Sequence, residues 1–214
     1  MPRNVLTLRD LEHTAAGSEI TVPPDTLITP LAREEAEARN ITIRFSEQPP
    51  PAALASASRA TPRVVAIGAD HGGFELKQQL AGYLRDWGYT VLDQGTDSAQ
   101  AVDYPDFAEA VANCVARGDA HLGVVIDSAG IGSAIAANKV PGARAALCYD
   151  RATARNSREH NDANILSLGA RLLPAEQARE ILAVWLETPF AGGRHQRRVD
   201  KIRAIESRTR DSRK

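Results

Sequence analysis

Four short stretches of the 214-residue chain carry residues able to move protons or hold anions. The first is Asp127-Ser128-Ala129-Gly130-Ile131-Gly132, which follows an apolar run. Glycines at such a point let backbone N–H groups converge at a helix N-terminus, which suits an anion or a developing oxyanion. They also suit a plain strand-to-helix turn. The third glycine of a dinucleotide fingerprint is missing, and so is the Gly-Lys-Ser/Thr of a triphosphate loop, which disfavours both cofactors. The second stretch, Asp70-His71-Gly72-Gly73, sets an acid beside a base. Asp70 can equally be a helix cap, whereas no packing role is evident for His71. The third, Gly192-Gly193-Arg194-His195-Gln196-Arg197-Arg198, puts Arg194 and Arg198 on one helix face. Two guanidinium forks there fit a phosphate, or else form a solvated basic face. The fourth is His160-Asn161 at a helix end, where a histidine can also simply meet the dipole.

The elements that must position these residues alternate through 64–214. Apolar runs at 64–68, 90–93, 122–126, 144–148 and 164–168 read as strands. Helices read over 74–87, 107–116, 132–138, 151–159, 174–186 and 194–208. Apolar strands with helical crossovers predict an α/β class chain: a three-layer α/β/α Rossmann-like domain with a five-stranded parallel sheet. Ligands bind beyond the carboxyl ends of such strands. Those ends deliver Asp70-His71, Asp103-Tyr104-Pro105, Asp127 to Gly132, Tyr149-Asp150 and Gly169-Ala170-Arg171. His160 differs. Its helix starts at the carboxyl end of the fourth strand, so roughly ten residues later it has returned about 15 Å, to the opposite sheet edge. A catalytic His160 therefore serves a neighbouring subunit's site.

Ahead of this domain, residues 1–45 read as a small N-terminal module. Leu6, Leu8 and Leu11 surround a short helix, Glu19 to Val22 and Ile41 to Ile43 read as strands, and Thr29-Pro30 starts a helix closed by Asn40. A module this small is marginal alone and needs a partner surface. Residues 46–63 read as a linker, since twelve of the seventeen at 46–62 are Pro, Ala or Ser and offer little to bury.

The balance of 26 basic and 27 acidic side chains argues against a nucleic-acid partner or a polybasic membrane anchor. Aromatics at 5% are too sparse for base-stacking platforms. No apolar run is long enough for a membrane span, and charge returns too early at the N-terminus for a signal peptide. Two cysteines, Cys114 and Cys148, cannot make a disulfide framework, and a cytoplasmic location fits. Cys148 lies within a strand and reads as an inert core residue.

Separated motifs together resemble the ribose-5-phosphate isomerase B family, whose relatives include galactose-6-phosphate isomerase subunits. They are, in family order over 64–205, Gly68-Ala69-Asp70-His71-Gly72-Gly73, Asp103-Tyr104-Pro105, Gly130 to Lys139, Ser157-Arg158-Glu159-His160-Asn161 and Gly193 to Arg198. The resemblance implies aldose–ketose isomerisation of a phosphorylated sugar, without metal or organic cofactor, in a homodimer or higher oligomer with sites at the subunit interface. It implies that His160 opens the sugar ring across the interface and that a base takes the C2 proton to give a cis-enediolate. Backbone N–H groups from Ser128 through Gly130 to Gly132 hold the enediolate charge, with Ser133 beside them. Asp70 and Asn161 hold hydroxyls, Arg194, Arg198, His71 and Arg171 the phosphate, and Tyr104 lines the pocket.

The chain departs from the family at the base. The family commonly has a cysteine at the position of Asp127, and other members a glutamate at that of Ser133. Asp127 is accordingly the candidate base, with burial expected to raise its pKa from about 3.9. The alternatives are an isomerase of a different phosphorylated aldose, and a non-catalytic sugar-phosphate-binding or scaffold protein in which Asp127 merely caps a helix. In the N-terminal module, Leu27-Ile28-Thr29-Pro30-Leu31-Ala32-Arg33-Glu34 is similar to extensions on enzymes of bacterial microcompartments. That likeness implies docking to a shell or cargo protein, and the microcompartment lumen as a location.

Overall fold

The computed structural model describes residues 5–11, 14–23, 26–45 and 63–211. The linker expected at 46–63 therefore lies outside the described residues except for Arg63.

The N-terminal module comprises β1 (Val5–Leu6), α1 (Leu8–Leu11), β2 (Glu19–Val22), β3 (Leu27–Ile28), α2 (Pro30–Ala38) and β4 (Thr42–Phe45). β1 pairs with β3 and β2 with β4, both parallel. Thr29 caps α2 by accepting the Ala32 amide at 3.3 Å, and its hydroxyl donates to the Leu6 carbonyl at 3.2 Å. Pro30 follows at the first helical position, where a missing N–H costs nothing. Asn40 takes φ 52° after the helix. Leu6, Leu11, Val22, Ala32, Ala36 and Ile41 form a small core. β1 and β3 were not anticipated; two residues are too few to show a period. The module rests on the larger domain, where Glu34 pairs with Arg151 and with Arg155 at 3.0 Å.

The larger domain runs β5 (Val64–Ala69), α3 (Phe74–Asp86), β6 (Thr90–Asp93), α4 (Tyr104–Arg117), β7 (Leu122–Asp127), α5 (Ile131–Ala137), β8 (Ala145–Leu147), α6 (Arg151–Asn161), β9 (Ile165–Gly169), α7 (Ala175–Glu187) and, after a 3-10 turn at Gly193–His195, α8 (Gln196–Asp211). The five strands form one parallel sheet in the order β6-β5-β7-β9-β8. β7 and β9 are buried along their whole length, as their largely apolar sequences require, with Asp127 and Ser167 the polar exceptions. Alternation along the strands divides the core into two layers. Val65, Ile67, Val124, Ile126, Leu166 and Leu168 meet Leu80, Leu84, Ile181, Leu182 and Trp185 of α3 and α7 on one face. Ala66, Val125 and Ile165 meet Ala108, Val111, Ala112 and Ala137 of α4 and α5 on the other.

Two boundaries bear on the site. α4 starts at Tyr104, three residues before the expected Phe107, because Asp103 is extended and Pro105 is tolerated in the first turn. α6 continues through Asn161 and stops where Asp162 turns left-handed at φ 47°, so His160 is a helical residue of its last turn.

The strand order creates a switch point. The chain leaves β5 for β6 on one side and returns to β7 on the other. The connections after β5 and β7 therefore diverge and leave a crevice beyond their carboxyl ends.

Candidate active site

At that crevice the loops after β5 and β7 interlock. The Asp70 amide donates to the Ile126 carbonyl at 3.2 Å, and Asp70 Oδ1 accepts the Gly73 amide at 3.0 Å. Asp70 thus caps the turn into α3 while remaining at the crevice floor, 7% exposed. A Cβ on Gly72 would stand 2.6 Å from Ser128 Oγ, so any side chain there would have to displace the Ser128 hydroxyl. His71 Nδ1 lies 3.2 Å from the Val102 backbone, and the residue is exposed. β9 joins the group, since the amides of Ala170 and Arg171 donate to the Asp127 and Ser128 carbonyls at 2.8 and 3.0 Å. The Arg171 side chain is exposed at the rim. Tyr104 lies against the start of α5, where a Cβ on Gly132 would fall 2.6 Å from its ring. Asp70, His71, Tyr104, Asp127, Ser128, Gly130, Gly132 and Arg171 are thereby brought to one edge of one sheet.

Asp127 is 5% exposed, and its carboxylate is turned into its own loop. Oδ1 accepts the Ala129 amide at 2.8 Å and the Gly130 amide; Oδ2 accepts the Ser133 amide at 2.8 Å. This overturns the expectation of a raised pKa. Burial pushes the carboxyl up, but the Ser133 hydroxyl and the amides of Ser133, Gly130 and Ala129 together pull it below the ordinary aspartate value. The group is ionised at neutral pH. It also takes up two of the N–H groups on which an oxyanion was to rest, those of Ala129 and Gly130. Ser133 is correspondingly buried, its hydroxyl turned to Asp127. Cys148 is fully buried in the core, and burial lifts its thiol to about 11, so it is inert as expected.

His160, Asn161, Arg194 and Arg198 are not at this crevice. The residues leading into β9 fix their place. Asn164 and Ile165 amides donate to the Arg144 carbonyl at the start of β8, so α6 ends at the amino edge of the sheet. The Ala191 amide donates to the Glu159 carbonyl at 3.0 Å and ties the Arg194 segment to the same end. His160 stacks on His195, ring centroids 4.1 Å apart and planes 3° from parallel. His195 Nε2 accepts from Arg194 Nε at 3.2 Å. The Asn156 amide nitrogen lies 2.8 Å from His160 Nδ1. Asn156 and His195 went unrecognised as neighbours of His160. The spacing of Asn156, one helical turn before, is a signal; the 35 residues separating His195 give none. β9 spans five residues between the two edges, about 17 Å at 3.3 Å each. One chain thus holds two incomplete groups of residues on opposite edges.

Among the described residues, no cluster of three or more His, Cys, Asp or Glu could hold a metal ion. No described helix is long and apolar enough to cross a membrane.

Comparison with known proteins gives the context. Residues 65–202 match the family described as Ribose/Galactose Isomerase. Ribose-5-phosphate isomerase B of Escherichia coli is 44% identical over 144 residues, covering 67% of this chain and 97% of that protein. D-erythrulose-4-phosphate isomerase of Pectobacterium atrosepticum is 40% identical over 139 residues, covering 64% and 91%. The solved structure of Clostridium thermocellum ribose-5-phosphate isomerase B superposes with a TM-score of 0.68 at 50% identity, covering 68% of this chain and 99% of that one.

Proposed function

This chain belongs to the ribose/galactose isomerase family, and on that premise we propose that it interconverts ribose 5-phosphate and ribulose 5-phosphate. The observation that carries the reading is the division of its chemistry between two edges of one sheet. Asp70, Asp127 and Arg171 lie at the carboxyl edge; His160 and the Arg194 segment lie at the amino edge. A two-fold pair of chains joins one edge of each to the other edge of its neighbour, making two complete sites.

In this reading the neighbouring chain's His160 exchanges the proton that opens the sugar ring. The Asp127 carboxylate then takes the proton from C2. The C–H electron pair forms the C1–C2 double bond, and the carbonyl oxygen becomes the enediolate anion. Loop amides outside Asp127's own bonds, at Ser128 and Gly132, receive that charge. A proton passes from the C2 hydroxyl to O1, and as the C2–O2 carbonyl forms the abstracted proton returns from Asp127 to C1, completing the isomerisation. Asp70 and the neighbour's Asn161 hold hydroxyls; Arg171, His71 and the neighbour's Arg194 and Arg198 hold the phosphate.

A second reading, a sugar-phosphate-binding protein without turnover, is favoured by the engagement of the Asp127 carboxylate with three loop amides. The similarity to an erythrulose-phosphate isomerase makes a shorter phosphorylated sugar the alternative substrate. A coupled assay on purified full-length protein, run with four- and five-carbon sugar phosphates beside calorimetric binding, separates these. Turnover of ribose 5-phosphate that Asp127→Asn abolishes while binding persists supports the first reading. Binding with no turnover of any sugar supports the second.

Residues 1–45 act, in this proposal, as a docking module for a microcompartment shell or cargo protein, on the strength of the Leu27 to Glu34 stretch. Transfer of 1–62 onto a fluorescent protein, followed by co-sedimentation with shells, tests it; free fluorescence would defeat it.

A further inference from the structure

We propose that Asn156 and His195 are positioning residues that fix the tautomer and the ring plane of His160. The importance of this for turnover rests on the acid–base role given to His160 above; the positioning itself does not.

The tautomer follows from the donors. Asn156 Nδ2 lies 2.8 Å from His160 Nδ1. The two residues are four apart on α6 and share a face. An amide nitrogen has only hydrogens to offer, so Nδ1 must present its lone pair, and the neutral ring carries its proton on Nε2. Nε2 is therefore the atom through which His160 can pass a proton outward. Glu159 Oε1 stands 3.7 Å from Nε2, too far for a hydrogen bond that would claim that proton.

The plane follows from the stack. His195 is 8% exposed and lies parallel to His160 at 4.1 Å. Its position is set on two sides. Its amide donates to the Gly192 carbonyl at 2.9 Å, and its Nε2 accepts from Arg194 Nε at 3.2 Å. Burial, then the neighbouring His160, Arg194 and Arg198, push its own pKa down against the pull of Glu159. His195 is thus a neutral plate, and its lone proton sits on Nδ1 because Nε2 is accepting. A histidine that works through one nitrogen needs the other one held, and here the ring face is held as well.

The test uses full-length protein carrying 15N-histidine, with two-bond proton–nitrogen correlation at a pH where imidazoles are neutral. The His160 signal is identified by its loss in His160→Gln. We expect Nε2–H in the unaltered protein. Asn156→Asp replaces a donor with an acceptor and should move the proton to Nδ1; the same variant should lose about tenfold in kcat with little change in KM. His195→Ala should broaden the His160 signal and lower kcat, and His195→Phe, which keeps a flat ring, should restore part of both. An unchanged Nε2–H signal in Asn156→Asp, or a sharp unshifted signal in His195→Ala, overturns the proposal. If the tautomer switches but the unaltered protein turns over no sugar phosphate, positioning stands and the isomerase reading falls.

Discussion

Asp127 and Ser133, six residues apart, close a ring across the start of α5: the Ser133 amide donates to Asp127 Oδ2 at 2.8 Å. The carboxylate therefore shapes the loop that, in the proposed reaction, also handles the substrate's charge. Removing it has two separable effects. Asp127→Ala should abolish turnover and also destabilise the fold by about 1–3 kcal/mol, since buried amides lose their acceptor. Urea unfolding read beside the coupled assay measures both.

The same bonds set a pH dependence. Asp127's carboxyl lies below its unfolded value. Its stabilisation is complete above that value, about 3.9, and is lost as pH falls through the lower folded pKa. Acid unfolding followed by near-UV circular dichroism should thus show the unaltered protein surviving to lower pH than Asp127→Ala. On the rate side, a base this acidic stays ionised, so kcat/KM should show no loss from Asp127 between pH 5 and 8.

Glu187, at the end of α7, gives the opposite sign. Burial lifts its carboxyl from 4.5 to about 7, partly countered by the Thr29 hydroxyl and reinforced by Asp10. The folded chain therefore binds a proton more readily than the unfolded one between those values. Stability falls as pH rises from 4.5 to 7 and the cost is complete above. Glu187→Gln should raise the melting temperature at pH 8 and leave it nearly unchanged at pH 4.5.

Division of the chemistry between two edges predicts subunit complementation. Asp127→Asn and His160→Gln should each be inactive alone. Mixed after unfolding and refolding together, half the dimers pair one variant with the other and carry one intact site of two, about a quarter of full activity. Persistent inactivity in the mixture would show that both residues serve the same chain's site.

Gly132 and Tyr104 predict a steric coupling. Gly132→Ala forces a methyl into the Tyr104 ring, where 2.6 Å is available. It should destabilise the protein and lower kcat/KM. Combining it with Tyr104→Ala should recover stability beyond the sum of the single effects, but not activity.

Much of this architecture was readable in the chain. Val64 to Ala69 and Leu122 to Ile126 run apolar because both faces of the sheet are covered. Thr29-Pro30 announced α2 because cap chemistry is local. The separation of His160 from Asp127 followed from the rise of a helix alone. The Asp127 carboxylate was misjudged for a physical reason. Burial can be anticipated from a neighbouring apolar run, whereas hydrogen bonds from residues two, three and six positions ahead depend on how the loop curls. His195 escaped because nothing in its local sequence reports a ring 35 positions earlier.

Asp127 is buried and Arg171 exposed, so the crevice carries opposite charges at different depths. In the isomerase reading, that polarity favours a phosphorylated sugar lying with its phosphate toward the arginine, and the loop amides that hold Asp127 temper the contrast.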